Sequence, residues 1–212
     1  MNAMQSRTGF FVGRLGSLLA ILPLGVWTLF HLWNNLAAFD NDSGAHWQEA
    51  VTGHASRASA ALVSVVVVLP LVLHALWGVR RMFASRPSVA QRSLSNVRYW
   101  VQRLSAVGLL AFLGAHLWLA WLHPRFVEGH AEDFADLAHE MRFNAPTTVV
   151  YVLGILAIAY HLANGVWSFS MGWGLAQSQR ALARLEKFAL VFFVALLALG
   201  WSAVAALYLA GR

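Results

Sequence analysis

Four histidines stand inside long apolar runs: His31, His74, His116 and His161. An imidazole at membrane depth is costly to place and normally has a specific partner. His161 lies in the stretch Tyr160-His161-Leu162-Ala163-Asn164-Gly165-Val166-Trp167, with Gly165 one helical turn further along the same face. His74 and Gly78 repeat that spacing. A glycine beside an imidazole removes a side chain where a flat group can lie against the helix. Haem iron with two axial imidazoles needs opposed histidines at one level. Four buried imidazoles on four different helices therefore predict two haems held by bis-histidine ligation.

The elements that must position them follow from composition. Of 212 residues, 59% are hydrophobic and only 11% charged, where a soluble domain carries about 25% charged residues. The chain predicts one integral membrane domain over residues 1–212, all-α, with no second domain. The formal charge of +6 is split among loops, and no basic–aromatic patch points to nucleic acid. There is no cysteine, which excludes disulfides, cysteine-ligated iron–sulfur clusters and C-x-x-C-H haem attachment. Any haem is then non-covalent and b-type.

Five apolar runs are long enough to cross a hydrocarbon core that needs ~20 residues. They cover about residues 15–39, 58–83, 100–122, 147–173 and 188–209. The first, with Arg7 and Arg14 before it, is too long for a signal-peptide core of about 7–15 residues and is read as a retained helix. In the second, Pro70 precedes His74 by four residues and predicts a kink. Between the third and fourth runs, Phe134, Leu137, Ala138 and Met141 recur at helical spacing, which predicts a short amphipathic helix on the membrane surface. His46, His54, His123, His130 and His139 fall in loops and read as solvated.

Charge sets an orientation. The N-terminus, second loop and fourth loop hold eleven of the fifteen Lys and Arg but only Glu186 among the acids. The positive-inside rule then puts the N-terminus in the cytoplasm and the C-terminus outside. His31 and His116 each lie sixteen residues past the start of their runs, roughly 24 Å from the cytoplasmic edge at the helical rise. His74 and His161 lie nine and twelve residues before the inner ends of theirs, roughly 14–18 Å deep. The four therefore sort into an outer pair, His31 with His116, and an inner pair, His74 with His161. The second-loop arginines Arg80 and Arg81 are near enough the inner pair to meet haem propionates. A metal transporter is the main non-redox alternative, but such sites normally add intramembrane acids, which these runs lack.

Several ordered elements resemble one family. They are Phe11-x-x-Arg14-Leu15-x-Ser17-Leu18-Leu19, Pro23-Leu24-Gly25 before His31, Leu73-His74-Ala75-x-x-Gly78, Tyr99-Trp100-x-Gln102-Arg103 before His116, and His161-Leu162-Ala163-Asn164-Gly165-x-Trp167-Ser168-Phe169. Together they resemble the single five-helix dihaem cytochrome b membrane anchor of Bacillus-type succinate:quinone oxidoreductases. The resemblance covers nearly the whole chain and implies the same histidine pairing as depth does. It also implies a bacterial cytoplasmic-membrane complex in which a flavoprotein and an iron–sulfur subunit dock on the cytoplasmic face. Electrons from succinate, oxidised on another subunit, then reach menaquinone through two haem b. It implies that Arg81, Arg14, Ser17, Tyr99 and Trp100 contact cofactor. Related fumarate reductases carry a glutamate two residues before the fourth-helix histidine. This chain has Ala159 there, which favours succinate oxidation, with quinone reduced near the outer pair. A cytochrome b anchor of a fumarate reductase or another dehydrogenase is the redox alternative.

Overall fold

The computed structural model describes residues 14–40, 42–52, 61–84 and 94–211. Arg7, His54, Arg86, Arg92 and the expected start of the second span at Ala58 lie outside them. Five membrane-length helices are present, and among the described residues there is no strand. We label them α1 (Arg14–Phe39), α2 (Ala61–Phe83), α3 (Val97–Glu128), α5 (Ala145–Gly172) and α6 (Gln179–Ala210). Between α3 and α5 lies the shorter α4 (Phe134–Phe143).

Several spans outrun their apolar cores. Backbone hydrogen bonding continues into polar flanks wherever a cap is available. Helix α6 begins at Gln179 because the Ser178 hydroxyl accepts from the Ala181 amide at 3.1 Å. Helix α4 begins where the Asp133 carboxylate accepts from the Ala135 amide at 2.7 Å. Helix α5 starts with Ala145-Pro146, proline at a helix start giving up an amide that would have no partner there.

Pro23, Pro70 and Pro124 each sit in or beside a widened, π-helical turn. Pro23 lies within Ala20–Gly25, Pro70 follows Ser64–Val68, and Pro124 follows Trp118–Leu122. A proline ring clashes with the carbonyl four residues back and donates no hydrogen bond. A wider turn relieves both problems without ending the helix. The expected disturbance at Pro70 is thus a wide turn before the proline. Such a turn also shifts the helical phase of the residues beyond it, His31 and His74 among them.

Helices α3, α5 and α6 form the packed heart of the bundle, and α2 lies chiefly against α1. Small residues are buried along α5 and α6: Gly154, Ala159 and Ala163 on one, Gly200, Ala203 and Ala206 on the other. They let the helices approach closely, as membrane helices require when lipid is as apolar as their side chains. A Cβ on Gly200 would run into the Ile155 side chain. Large apolar residues such as Leu76, Leu104 and Val191 are exposed on the bundle, as lipid-facing positions must be.

The amphipathic helix forms as its spacing predicts, but its apolar face does not meet lipid. Phe134, Ala138 and Met141 are buried, because α6 runs on to Ala210 and presents a surface to them. The Arg142 guanidinium lies 4.6 Å from the Tyr208 ring centre, and Gly211 sits against Ala138 and Arg142. From the first loop, Trp47 stacks obliquely on Phe134 at 5.5 Å and donates to Asn35 Oδ1 at 3.1 Å. Helix α4 and Trp47 thus form a protein lid over this acid-rich end of the bundle. Met141 is fully buried, so Met141→Ala should cost about 2–5 kcal/mol. Thermal unfolding in detergent should show the loss, and an unchanged midpoint would mean that α4 is not packed this way.

Candidate haem-ligating histidine pairs

The four intramembrane histidines lie on α1, α2, α3 and α5, and they meet in two pairs. The rings of His31 and His116 have centroids 5.9 Å apart and planes at 72°. Those of His74 and His161 are 6.2 Å apart at 74°. His74 is seven residues before Arg81, so its pair lies toward the arginine-rich end and the other toward the acid-rich end.

Three of the four rings have Nδ1 tied to the protein. His74 Nδ1 donates to the Gly16 carbonyl of α1 at 3.0 Å. A Cβ on Gly16 would fall 2.6 Å from the Trp77 ring, so glycine is what lets α2 come near enough for that bond. His161 Nδ1 lies 3.3 Å from Ser105 Oγ, and the Ser105 hydroxyl donates to the Gln102 carbonyl at 2.8 Å. The Gln102 amide closes the network. It donates to the His161 carbonyl at 3.2 Å and lies 3.2 Å from His161 Nδ1, and its oxygen accepts from Asn164 at 2.9 Å. His116 Nδ1 lies 3.0 Å from the Tyr151 hydroxyl. His31 has the Trp27 ring edge-on at 4.6 Å.

These contacts decide what the rings can do. A neutral imidazole carries one N–H, and giving it to an acceptor at Nδ1 leaves the Nε2 lone pair for a metal. Two imidazole nitrogens about 2 Å from a shared metal place their ring centres about 6 Å apart, which both pairs match. The glycines fit as well. A Cβ at Gly78 or Gly165 meets nothing within 4 Å, so a flat macrocycle can lie along both helices beside His74 and His161. The residues fit two b-type haems.

The other site residues expected from the sequence gather at the arginine-rich end. Arg81, two turns beyond His74, lies over the Trp77 ring at 4.8 Å. Arg14 reaches across to Gly172 at the end of α5. Ser17 donates its hydroxyl to the Arg14 carbonyl at 2.7 Å. Tyr99 carries the Arg103 guanidinium 4.3 Å over its ring and meets Trp100 edge-on at 5.5 Å. Arg103 in turn donates to the Met82 carbonyl at 3.0 Å and the Arg81 carbonyl at 3.4 Å, satisfying the end of α2. Among the loop histidines, His46 is exposed and held above its ordinary value by its hydrogen bond to Asp40. His130 is exposed too, and is raised chiefly by the Ala131 carbonyl.

Sequence reasoning did not find Gly16, Ser105 or Tyr151 as partners of the histidines. Gln102 stands out in the sequence only as part of a motif. Each partner lies on a different helix from the histidine it serves, and no spacing along one helix reveals that.

Fold and site define an all-α integral membrane protein with two interhelical imidazole pairs. The family model described as succinate dehydrogenase/fumarate reductase transmembrane subunit matches residues 85–200, more than half of the chain. The chain belongs to that family. It is 28% identical over 206 residues to the succinate dehydrogenase cytochrome b558 subunit of Bacillus subtilis (strain 168), across 95% of this chain and 98% of the relative. No solved structure matches it significantly. With five spans and a bacterial relative, it is a multi-pass protein of the bacterial inner membrane.

The open space beside Gly165 gives a direct check. Gly165→Leu should leave the helical circular dichroism unchanged while lowering the haem b bound per chain. An undiminished haem content would show that nothing flat lies there.

Proposed function

We propose that the chain is the haem-bearing membrane anchor of a succinate dehydrogenase, carrying electrons to menaquinone from a flavoprotein and an iron–sulfur subunit. Succinate itself is oxidised on another subunit. The observation that carries this reading is the meeting of four imidazoles in two pairs at ring separations of 5.9 and 6.2 Å, in a member of this family. The relative's name, a cytochrome b558 subunit, supports haem b. Bound haem b supplies one-electron iron chemistry within the bilayer.

What the chain supplies is position and environment. His74 and His161 would hold the haem nearer the arginine-rich end, and His31 and His116 the other. The arginine-rich end is cytoplasmic, where the two soluble subunits dock, and residues 1–212 form one cytochrome b domain. Arg81, Arg14, Ser17, Tyr99 and Trp100 hold the propionates of the first haem or border it, a role that their shared place at the arginine-rich end of the bundle supports. Burying charge in the bilayer costs several kcal/mol unless it is paired, and these arginines offer that pairing.

Menaquinone is reduced near the His31/His116 pair, toward the outside. A negative interior then assists outward electron movement by about 2.3 kcal/mol per charge per 100 mV. Ala159 is buried in the core and offers no proton-carrying group beside His161 to offset that charge movement. This favours succinate oxidation over the fumarate-reducing direction that the family description also covers.

The pairing is tested with single substitutions in the purified complex. His74→Ala and His161→Ala should each remove one and the same component of the reduced-minus-oxidised spectrum, and His31→Ala and His116→Ala the other. Loss of one component by both His31→Ala and His74→Ala would break the pairing.

A further inference from the structure

We propose that Tyr151 is a positioning residue for the acid-side pair, its phenol oxygen accepting the Nδ1–H of His116 and so aiming Nε2 toward His31. The inference rests on the bis-histidine reading above and adds a residue to it. Tyr151 is buried on α5, with its hydroxyl 3.0 Å from His116 Nδ1 on α3. The opposite polarity, with Tyr151 donating to Nδ1, would put the imidazole proton on Nε2 and remove its lone pair from the pair axis. Only the accepting phenol leaves both nitrogens in the state that ligation requires.

The contact is built into the packing. The Phe112 ring stacks on His116 at 5.6 Å with planes 22° apart and meets Tyr151 edge-on at 5.3 Å. Phe112 can occupy that place because residue 154, one turn beyond Tyr151 on α5, is glycine, where a Cβ would run into its ring. His116 is therefore held between a stacked ring on its own helix and a hydrogen-bond acceptor on the next.

The acceptor's chemistry also sets the electronic character of the ligand. A hydrogen bond from Nδ1–H makes an imidazole a stronger donor and stabilises oxidised iron. The acid-side pair receives that stabilisation from a neutral phenol. On the other side, a backbone carbonyl serves His74 and a serine hydroxyl serves His161. Removing the phenol oxygen should raise the potential of the acid-side haem and leave the other in place.

The test is a redox titration of the purified complex carrying Tyr151→Phe, which removes the hydroxyl and keeps the ring. The acid-side component is identified beforehand as the one lost in His31→Ala. Its midpoint should rise, or that component alone should be lost, while the component that depends on His74 keeps its midpoint. An unchanged or lowered midpoint overturns the proposal. If no component in the unsubstituted complex depends on His31, the dihaem reading itself fails, a distinct result. If Tyr151→Phe does not assemble, incorporation of 3-fluorotyrosine weakens the phenol oxygen as an acceptor without removing it. The acid-side midpoint should again rise, and no shift would overturn the assignment.

Discussion

A neutral imidazole has a single proton, and in this bundle the placement of that proton governs everything else. When Nδ1 holds it and gives it to the protein, Nε2 is left as a lone pair pointing across the helix interface. The Gly16 carbonyl can only take that proton from His74, and the Ser105 hydroxyl and the Tyr151 phenol lie within hydrogen-bond distance of Nδ1 of His161 and His116. None of these partners lies on the helix of the histidine it serves. The helices must therefore pack correctly before any ring is held, so the geometry of the rings is a product of the tertiary structure.

Helices α3 and α5 show how economical that arrangement is. Ser105 and Gln102 of α3 support His161 of α5, and Tyr151 of α5 supports His116 of α3. Ser105 and His116 are eleven residues apart, and Tyr151 and His161 ten. Run antiparallel, the two helices bring both contacts into register at levels roughly 15–17 Å apart. One helix pair thus supports a histidine at each level. The lid formed by α4 and Trp47 covers the acid-rich end beyond the His31/His116 level. The other level is bordered by arginines and aromatic rings.

Much of this was legible in the sequence because bilayer thickness fixes span length, and position along a span fixes depth. Depth alone matched His31 with His116 and His74 with His161, and those are the rings that meet. Helical phase was harder to read. The widened turns at Ala20–Gly25 and Ser64–Val68 break the 3.6-residue period before His31 and His74. A periodic reading cannot say which neighbour each ring faces. Tyr151 carried no signal either, since a tyrosine near the end of an apolar run looks like an interfacial residue. The amphipathic period of α4 was plain in the sequence, but a period says only that one face is covered. That α6 rather than lipid covers it follows from how far α6 extends.

The central claim is that one chain holds two haems through four histidines. Its most direct test is the haem b content of the purified complex, measured as the pyridine haemochrome against the amount of this subunit. The proposed ligation predicts two haems per chain. A ratio of one would mean that only one imidazole pair binds iron, and would contradict the account.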